Sequence, residues 1–354
     1  MAQQSIVLLK NDNLLPLDKT KLKKVAVVGP NANNPEMQLG NYNGFPTRII
    51  TPYEGLKEYL EGQAEVYCYS VIDYYGPTPK SFANEISKFK DVDLIIFVGG
   101  LSPRIEGEQL QLDALGFYGG DRTSILLPKL QTDFMKALKT TGKPVVFVMM
   151  TGSAIAIPWE SENIPAVLNA WYGGEAIGKA LVDVLFGDYN PSGKLPVTFY
   201  QGDKDLPDFE DYDMSNRTYK YFKGRPLYPF GYGLSYTGFK YNWLVKPHAT
   251  YNDVDNIKCA ITISNTGNMP GDEVAQLYVC YPEGKGYPVK ELRGFERKYI
   301  LHGKAEEVSF EIPIVSFAKW MKEEGKMDVP KGKYRLFVGG NSEDMRVVAE
   351  FEVE

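Results

Sequence analysis

The sequence predicts an α/β domain, with a mostly parallel sheet sandwiched by helices, followed by an all-β sandwich domain. Up to residue 186, apolar runs such as Val25-Ala26-Val27-Val28 and Leu94-Ile95-Ile96-Phe97-Val98 alternate with segments of helical period. From about residue 239 onward, short alternating strands follow one another with turn residues between them and without helices. At 354 residues, the chain is also longer than one ordinary core requires, which favours two domains.

The expected domain boundaries follow a change in composition. After Gly187-Asp188-Tyr189-Asn190-Pro191-Ser192-Gly193-Lys194-Leu195-Pro196, residues 201–236 are rich in Asp, Tyr, Gly and Pro and show no helical period. We therefore predict an α/β domain over 1–204, an extended inter-domain connection over 205–236 and a sandwich domain over 237–354.

The α/β domain is expected to contain six strands and four helices. Apolar runs predict strands at 5–11, 25–28, 66–69, 94–98, 144–150 and 166–171. The first helix begins after Thr51, because Thr51-Pro52-Tyr53-Glu54 has the pattern of a capping box with proline at the first helical position. Further helices are expected at 81–89, from near Ser124 with Pro128 in its first turn, and from Gly173-Gly174-Glu175 through residue 186.

The second domain shows the alternation of a half-buried antiparallel sheet. Strands are expected at 257–263, 274–279, 308–312 and 334–338, with a turn at Asn265-Thr266-Gly267-Asn268. Several short strands over about 115 residues without helices favour a sandwich of fibronectin III type.

A long loop at residues 99–122 is the strongest candidate for a functional segment. It follows a buried parallel strand, and ligands of open α/β sheets bind at the carboxyl ends of such strands. Two glutamates, Glu106 and Glu108, lie in it among glycines that allow a close approach to a ligand. The alternative interpretation is a solvated surface loop.

Composition excludes several other classes of function. The formal net charge is −6, and no block of Lys and Arg indicates a nucleic-acid interface. No apolar run reaches the roughly 18–20 residues needed to span a bilayer, and the amino terminus lacks a signal-peptide profile, so we expect a soluble chain without a membrane partner. The strand ending at Val28 is followed by no GxGxxG or GK[ST] motif, so we expect no nucleotide site.

The residue types present favour carboxylate chemistry. The three cysteines, Cys68, Cys259 and Cys280, have neither metal-site nor disulfide-framework spacing, and we expect free buried thiols. With only two histidines, His248 and His302, the chain offers little for a histidine metal site or a Ser-His-Asp triad. We therefore predict no metal site and no cofactor.

Several ordered motifs resemble the carboxy-terminal half of family 3 glycoside hydrolases. The motifs are Val27-Val28-Gly29-Pro30-Asn31-Ala32, Gly187-Asp188-Tyr189-Asn190-Pro191-Ser192-Gly193-Lys194-Leu195-Pro196, Tyr219-Lys220-Tyr221-Phe222, Tyr228-Pro229-Phe230-Gly231-Tyr232-Gly233-Leu234-Ser235-Tyr236 and Glu291-Leu292-Arg293-Gly294-Phe295-Glu296-Arg297. The resemblance covers essentially the whole chain. It implies the family's α/β sandwich domain followed by its fibronectin III-like domain.

The resemblance also implies half of an active site. The family's aspartate nucleophile lies in an amino-terminal (β/α)₈ barrel, in a Ser-Asp-Trp-like context that this chain does not contain. The α/β sandwich domain supplies the acid/base glutamate of a retaining β-glycosidase, and the matching residue is Glu108 in Ile105-Glu106-Gly107-Glu108. Glu106 is the alternative, because chemistry alone does not rank two glutamates two residues apart. The barrel and a β-linked oligosaccharide are the implied partners, and the chain alone is expected to be inactive.

Other residues resemble family positions near the sugar site. Tyr42 aligns with an aromatic residue beside the entrance to that site, and the alternative is a surface tyrosine in a turn. Asp121-Arg122 matches a family pair, which we interpret as an ion pair or cap that closes the loop, with direct contact to the sugar as the alternative. Trp171, Gly173, Gly174 and Glu175 are also similar to the family, and we assign them a structural role in a strand-to-helix turn.

The loop sequence favours one branch of the family. Pro103-Arg104-Ile105-Glu106-Gly107-Glu108, with Gly116-Phe117-Tyr118-Gly119-Gly120-Asp121-Arg122 after it, resembles β-xylosidases more than β-glucosidases. We therefore predict part of a β-xylosidase, with a β-glucosidase as the alternative. A carbohydrate-binding or scaffolding module without catalysis is the other alternative. The chain itself does not indicate a compartment, although the resemblance points to a periplasmic or secreted parent enzyme.

Overall fold

The chain folds into two compact units in a computed structural model that describes residues 1–106, 112–283 and 286–354. The first unit comprises 1–193 and 199–205, and the second comprises 194–198 and 206–354. The division into an α/β domain, a connection and a sandwich domain at 204 and 236 stays a prediction.

A six-stranded sheet forms the centre of the first unit. Its strands are Val7–Asn11 (β1), Lys24–Val28 (β2), Glu65–Tyr69 (β3), Leu94–Gly100 (β4), Val145–Met150 (β7) and Ala166–Asn169 (β8). Their spatial order is β1-β8-β7-β4-β2-β3, and all neighbours are parallel except β1, which is antiparallel to β8. The mostly parallel sheet is thus confirmed. Two short strands, Phe117–Tyr118 (β5) and Asp121–Arg122 (β6), pair as a separate hairpin.

Helices cover both faces of this sheet. They are Ala2–Ser5 (α1), Pro52–Tyr59 (α2), Ala83–Ser87 (α3), Lys129–Lys139 (α4), Pro158–Asn163 (α5) and Ile177–Phe186 (α6). Helix α2 packs against α6, and α4 packs against α5. The chain moves from β2 to β3 in one direction and from β4 to β7 and β8 in the other, so right-handed crossovers place α2 and α4 on opposite faces.

The capping box at the start of α2 is confirmed. The Glu54 carboxylate accepts the Thr51 N–H at 2.9 Å, and the Thr51 hydroxyl accepts the Glu54 N–H at 3.2 Å. Helices α2 and α6 approach closely at two glycines, because a Cβ at Gly55 would lie 2.5 Å from the carbonyl oxygen of Gly178.

Several elements differ from the sequence prediction. Strand β1 begins at Val7 rather than at residue 5, α6 begins at Ile177 rather than at Gly173, and α1 and α5 were not expected. Helix α3 covers only Ala83–Ser87, and β8 ends at Asn169 because Trp171 adopts φ 56°. Helix α4 begins at Lys129, after Pro128, rather than near Ser124. The preceding segment is extended because the Ala156 N–H donates to the Ile125 carbonyl at 2.7 Å. This carbonyl therefore pairs with a distant segment instead of accepting a hydrogen bond within a helix.

The second unit is a β-sandwich with two main sheets. Its strands are Phe239–Val245 (β9), Thr250–Tyr251 (β10), Asn256–Asn265 (β11), Gly271–Cys280 (β12), Glu291–Ile300 (β13), Ala305–Pro313 (β14), Lys319–Met321 (β15), Lys326–Asp328 (β16), Gly332–Gly339 (β17) and Val347–Val353 (β18). One sheet has the order β10-β18-β17-β12-β13 and the other β14-β11-β9, with β15 and β16 as a separate hairpin. The predicted α/β fold followed by an all-β sandwich is confirmed. A one-turn helix, Thr218–Tyr221 (α7), interrupts the segment expected to be extended.

Candidate active site at the carboxyl edge of the sheet

The carboxylate of Glu106 is held by three donors, the Gly152 N–H at 2.8 Å and the hydroxyls of Ser153 and Tyr172. The Thr151 hydroxyl lies 3.3 Å from the carboxylate, but its single proton is donated to the Ser153 carbonyl at 2.8 Å. Both carboxylate oxygens are used. We call these five residues the Glu106 clamp.

The topology of the sheet brings the clamp together. Glu106 follows β4, residues 151–153 follow β7 directly, and Tyr172 follows β8. These three strands are parallel neighbours, so their carboxyl ends meet at one edge of the sheet. The sequence analysis missed Thr151, Ser153 and Tyr172 as members of this site. Their common position just after a buried strand was the signal that could have identified them.

Burial and charge favour the donor role of Tyr172. Burial raises the pKa of Tyr172 above its ordinary value, and the charge and hydrogen bonding of Glu106 raise it further. The Tyr172 phenol therefore stays protonated and donates a hydrogen bond to Glu106. Burial lowers the pKa of the nearby Arg122 guanidinium, while the charges of Glu106 and Asp203 act in the opposite direction.

Buried side-chain amides fix the base of the loop after β4. The Gln131 amide accepts the Gly100 N–H at 2.8 Å and donates to the Gly100 carbonyl at 2.8 Å. The Asn31 amide donates to the Leu101 carbonyl at 2.9 Å and accepts the Tyr74 hydroxyl at 2.6 Å. Gly100 has φ 107°, and a Cβ there would lie 2.1 Å from the carbonyl oxygen of Met150. The chain therefore leaves the sheet in one defined direction.

Arg122 closes the far end of the loop. Its guanidinium donates to the Ser124 carbonyl at 2.9 Å and to the Ser153 hydroxyl at 3.2 Å, which links it to the clamp. Among the described residues, Asp121 and Arg122 form no ion pair with each other, which leaves the cap as the interpretation of this pair. The reason is local geometry, because successive residues of the β5–β6 hairpin point to opposite sides.

Of the two predicted glutamates, only Glu106 lies in the described part of the chain. Glu106 is half-buried and belongs to the clamp. Glu108, with the rest of 107–111, lies outside the described residues.

Tyr42 lies in a loop after β2 and is almost fully exposed. Its φ of 54° is in the left-handed region, which asparagine and glycine adopt more readily than tyrosine. Three other apolar side chains in loops after β2 and β4 are comparably exposed. The exposed fractions are 98% for Tyr42, 99% for Phe45, 90% for Leu115 and 84% for Tyr118.

The turn after β8 has the structural features expected of it. The Trp171 indole N–H donates to the Ser5 carbonyl at 3.0 Å, and the Gly174 N–H donates to the Gln38 carbonyl at 2.8 Å. A Cβ at Gly173 would lie 2.2 Å from the terminal methyl of Ile177, so a larger residue would require the Ile177 side chain to move.

The cysteines are free, and two of the three are buried. Cys259 and Cys280 are buried, as expected. Cys68 is only half-buried, so the expectation is wrong for this residue, which lies on the edge strand β3. Within the described ranges, no cluster of three or more His, Cys, Asp or Glu could hold a metal ion. No described helix has the length and apolar character needed to cross a bilayer.

Comparison with known families identifies both units. Residues 6–236 match the Glycosyl hydrolase family 3 C-terminal domain. The chain belongs to glycosyl hydrolase family 3. Residues 273–342 match the Fibronectin type III-like domain, which confirms the predicted type of the sandwich. The family 3 motifs read from the sequence are thus confirmed as a group.

Relatives of this family 3 chain are considerably longer than it is. The chain is 32% identical to a xylan 1,4-beta-xylosidase of Xylanibacter ruminicola, over 97% of this chain and 56% of the relative. It is also 32% identical to a periplasmic beta-glucosidase of Salmonella typhimurium, over 97% of this chain and 48% of the relative. The crystal structure of a beta-glucosidase from Listeria innocua in complex with isofagomine has a TM-score of 0.83 and 29% identity, covering 99% of this chain and 49% of that one. The chain thus spans about half the length of the curated relatives it matches.

Removing the Tyr172 hydroxyl should destabilise the α/β unit. Tyr172→Phe takes one donor from a partly buried carboxylate, and hydrogen bonds to charged groups contribute about 1.5–3 kcal/mol. Chemical denaturation followed by a probe in the α/β unit measures this loss. Tyr59→Phe is the matched control, because its hydroxyl donates to the exposed Asp188 carboxylate at 2.9 Å and should contribute less. Equal losses of unfolding free energy in Tyr172→Phe and Tyr59→Phe would contradict a stabilising role of the Glu106 clamp.

Proposed function

We propose that this chain supplies the acid/base glutamate, Glu108, of a retaining β-glycosidase whose nucleophile lies in a (β/α)₈ barrel domain. The Glu106 clamp is the observation that carries the assignment. An acid/base carboxyl must release a proton to the leaving oxygen and later accept one from water. Glu106 already accepts three protein hydrogen bonds, two of which come from the side chains of Ser153 and Tyr172. Movement of the Glu106 carboxylate toward a substrate would break these hydrogen bonds, so Glu106 suits anchoring, and Glu108 is the better acid/base.

The proposed reaction has two steps. In the first, a barrel carboxylate attacks the anomeric carbon while the Glu108 carboxyl gives its proton to the glycosidic oxygen, and the aglycone leaves. In the second, the Glu108 carboxylate takes a proton from water, whose oxygen attacks the anomeric carbon and releases the sugar with retained configuration. The clamp holds the loop that carries Glu108 at the carboxyl edge of the sheet.

Surface composition supports a barrel as the partner of this edge. Tyr42, Phe45, Leu115 and Tyr118 are each more than four-fifths exposed, and they follow β2 or β4, three of them in loops and Tyr118 in the β5–β6 hairpin. Within the described α/β unit, Met1 is the only other large apolar side chain with such exposure, and exposed apolar groups concentrated in this way are typical of an interaction surface. Glu36 and Arg104 form an ion pair that ties the loop after β2 to the loop after β4.

For the substrate, we propose a β-linked xylo-oligosaccharide, with a β-linked gluco-oligosaccharide as the second candidate. The loop sequence around Glu106 and Glu108 favours the first, and a relative named as a xylan 1,4-beta-xylosidase agrees with it. The second candidate is supported by the relative named as a periplasmic beta-glucosidase, and that name also supports a periplasmic or secreted parent enzyme.

Mixing this chain with a family 3 barrel domain tests the proposal. The chain alone should hydrolyse neither aryl β-xyloside nor aryl β-glucoside, because acid catalysis alone contributes only about 10²–10⁴-fold. The mixture should hydrolyse both, with the larger kcat/KM for the xyloside. Hydrolysis by the chain alone would contradict the divided site. A mixture that associates without activity would instead indicate a non-catalytic module.

Replacing Tyr42 should weaken oligosaccharide binding in the mixed enzyme. Stacking of an aromatic ring on a sugar contributes through buried apolar area, and the exposed Tyr42 ring is free to make this contact. We expect Tyr42→Ala to raise KM for xylo-oligosaccharides about tenfold, equivalent to ~1.4 kcal/mol, with little change in kcat. Phe209→Ala is the control, since Phe209 is similarly exposed but lies in the other unit. An unchanged KM in Tyr42→Ala would contradict the stacking role.

A further inference from the structure

A cavity separate from the Glu106 clamp lies in the α/β unit, between α4, α5 and the segment that precedes α4. Its volume is about 510 Å³, within the range of small-molecule sites. None of the five clamp residues lines it. Its walls are mainly apolar and include Leu101, Leu126, Leu127, Pro128, Ala156 and Trp159.

Hydrogen bonds hold the outer wall of this cavity in place. The Asp203 carboxylate accepts the Ile125 N–H at 2.7 Å and the Ser124 hydroxyl at 2.7 Å. The Leu127 N–H donates to the Ala156 carbonyl at 3.1 Å. The wall therefore cannot collapse onto the helices without breaking these bonds, and the space behind it is a stable feature of the unit.

Glu160 places a carboxyl group in this apolar cavity. The residue is 1% exposed, and its Oε1 accepts the Thr132 hydroxyl at 2.6 Å. A carboxylate offers about four acceptor positions, of which the Thr132 hydroxyl and the residue's own backbone N–H use two. Burial raises the pKa of Glu160. A hydroxyl group fits the carboxylate and the carboxylic acid alike, because it can donate to the first or accept from the second.

We propose that this cavity binds a neutral ring-shaped molecule with a hydroxyl group, of the phenol or cyclic-alcohol class. The ring contacts the apolar walls, and the hydroxyl group reaches Glu160. A charged ligand is disfavoured because an ion buried among mainly apolar walls needs a charged partner, and the lining residues Lys129, Lys136 and Asp133 already pair with one another. This site goes beyond the proposed glycosidase function and does not depend on it.

Ligand-observed NMR titration of the full chain tests this site, with phenol and cyclohexanol as probes. Both should bind, and benzoate and cyclohexylammonium should bind at least about tenfold more weakly. Glu160→Leu keeps a side chain of similar length but can neither donate nor accept a hydrogen bond, and it should weaken phenol binding about tenfold. Leu126→Trp should fill the cavity and abolish binding, whereas the control Val315→Trp, at an exposed position in the other unit, should leave binding unchanged.

Three results would overturn the proposal. They are absence of phenol and cyclohexanol binding to the wild-type chain, equal binding of the charged probes, and unchanged phenol binding in both Leu126→Trp and Glu160→Leu. Circular dichroism of the two variants checks that they fold, and Glu160→Leu keeps the test decisive if Leu126→Trp does not fold.

Discussion

Glu108→Ala should lower kcat/KM for an alkyl β-xyloside about 10²–10⁴-fold in the enzyme formed by this chain and a family 3 barrel domain. The reason is that an alkoxide is a poor leaving group and needs a proton from the acid/base residue. For an aryl substrate with a low-pKa leaving group, the rate of the first step should fall far less. The measurement is therefore the dependence of kcat/KM on leaving-group pKa, which should become steep in the variant.

Glu106→Gln is the matched control for this experiment. It keeps the side-chain size and one acceptor oxygen for the clamp donors, although the Gly152 and Tyr172 donors lie on one oxygen of Glu106 and the Ser153 hydroxyl on the other. We expect a moderate loss that is nearly the same for alkyl and aryl substrates, as for a positioning residue. A steep leaving-group dependence in Glu106→Gln, with a shallow one in Glu108→Ala, would reverse the two assignments.

Glu291→Gln should destabilise the β-sandwich unit by about 3 kcal/mol at neutral pH. The Glu291 carboxylate is buried and accepts hydrogen bonds from Lys220 at 2.9 Å, Lys319 at 2.6 Å and Tyr281 at 2.6 Å, with Arg293 also paired to it. The neutral amide leaves three cations without their shared counter-ion. Burial lowers the pKa of Lys319 despite Glu291, and the neighbouring charges of Arg293 and Lys220 lower it further.

The pH dependence of this stabilisation has a defined sign. Burial alone would raise the pKa of Glu291, but the hydrogen bonds from Lys319, Tyr281 and Lys220 outweigh it and lower the pKa from 4.5 to about 2. A carboxyl whose folded-state pKa is lowered stabilises the fold above the unfolded-state pKa. The difference between wild type and Glu291→Gln should therefore be constant above about pH 5 and should shrink as the pH falls toward 2.

Denaturant unfolding between neutral and acidic pH, followed by a probe in the sandwich, measures this difference. Glu311→Gln is the control in the same unit, since Glu311 forms an exposed ion pair with Lys258 at 3.4 Å and should have a much smaller effect. A Glu291→Gln effect that stays constant down to pH 3 would contradict the lowered pKa.

The sequence predicted the sheet and the sandwich well because both depend on local patterns. Runs such as residues 94–98 are apolar throughout, since a parallel strand is buried on both faces, and the strands of the sandwich alternate. The capping box at Thr51 was predictable because its two hydrogen bonds join residues three apart in the chain. The start of α4 was not, because the segment before it pairs with Ala156, which is distant in sequence.

The candidate site was only partly predictable for the same reason. The loop with Glu106 and Glu108 could be identified from the strand before it and from the family resemblance. The clamp could not, since Thr151, Ser153 and Tyr172 reach Glu106 only after β4, β7 and β8 become neighbours. Chemistry did not rank the two glutamates, whereas the hydrogen bonds to Glu106 now give a physical reason to prefer Glu108.

The products formed in the presence of azide test the assignment of Glu108 most directly. Without an acid/base residue to deprotonate water, the glycosyl-enzyme intermediate is hydrolysed slowly. Azide needs no deprotonation and can attack the intermediate directly. With an activated aryl β-xyloside, the Glu108→Ala enzyme should regain turnover in azide and release β-xylosyl azide with retained configuration. The Glu106→Ala enzyme should release only xylose. Glycosyl azide from Glu106→Ala and not from Glu108→Ala would contradict the account.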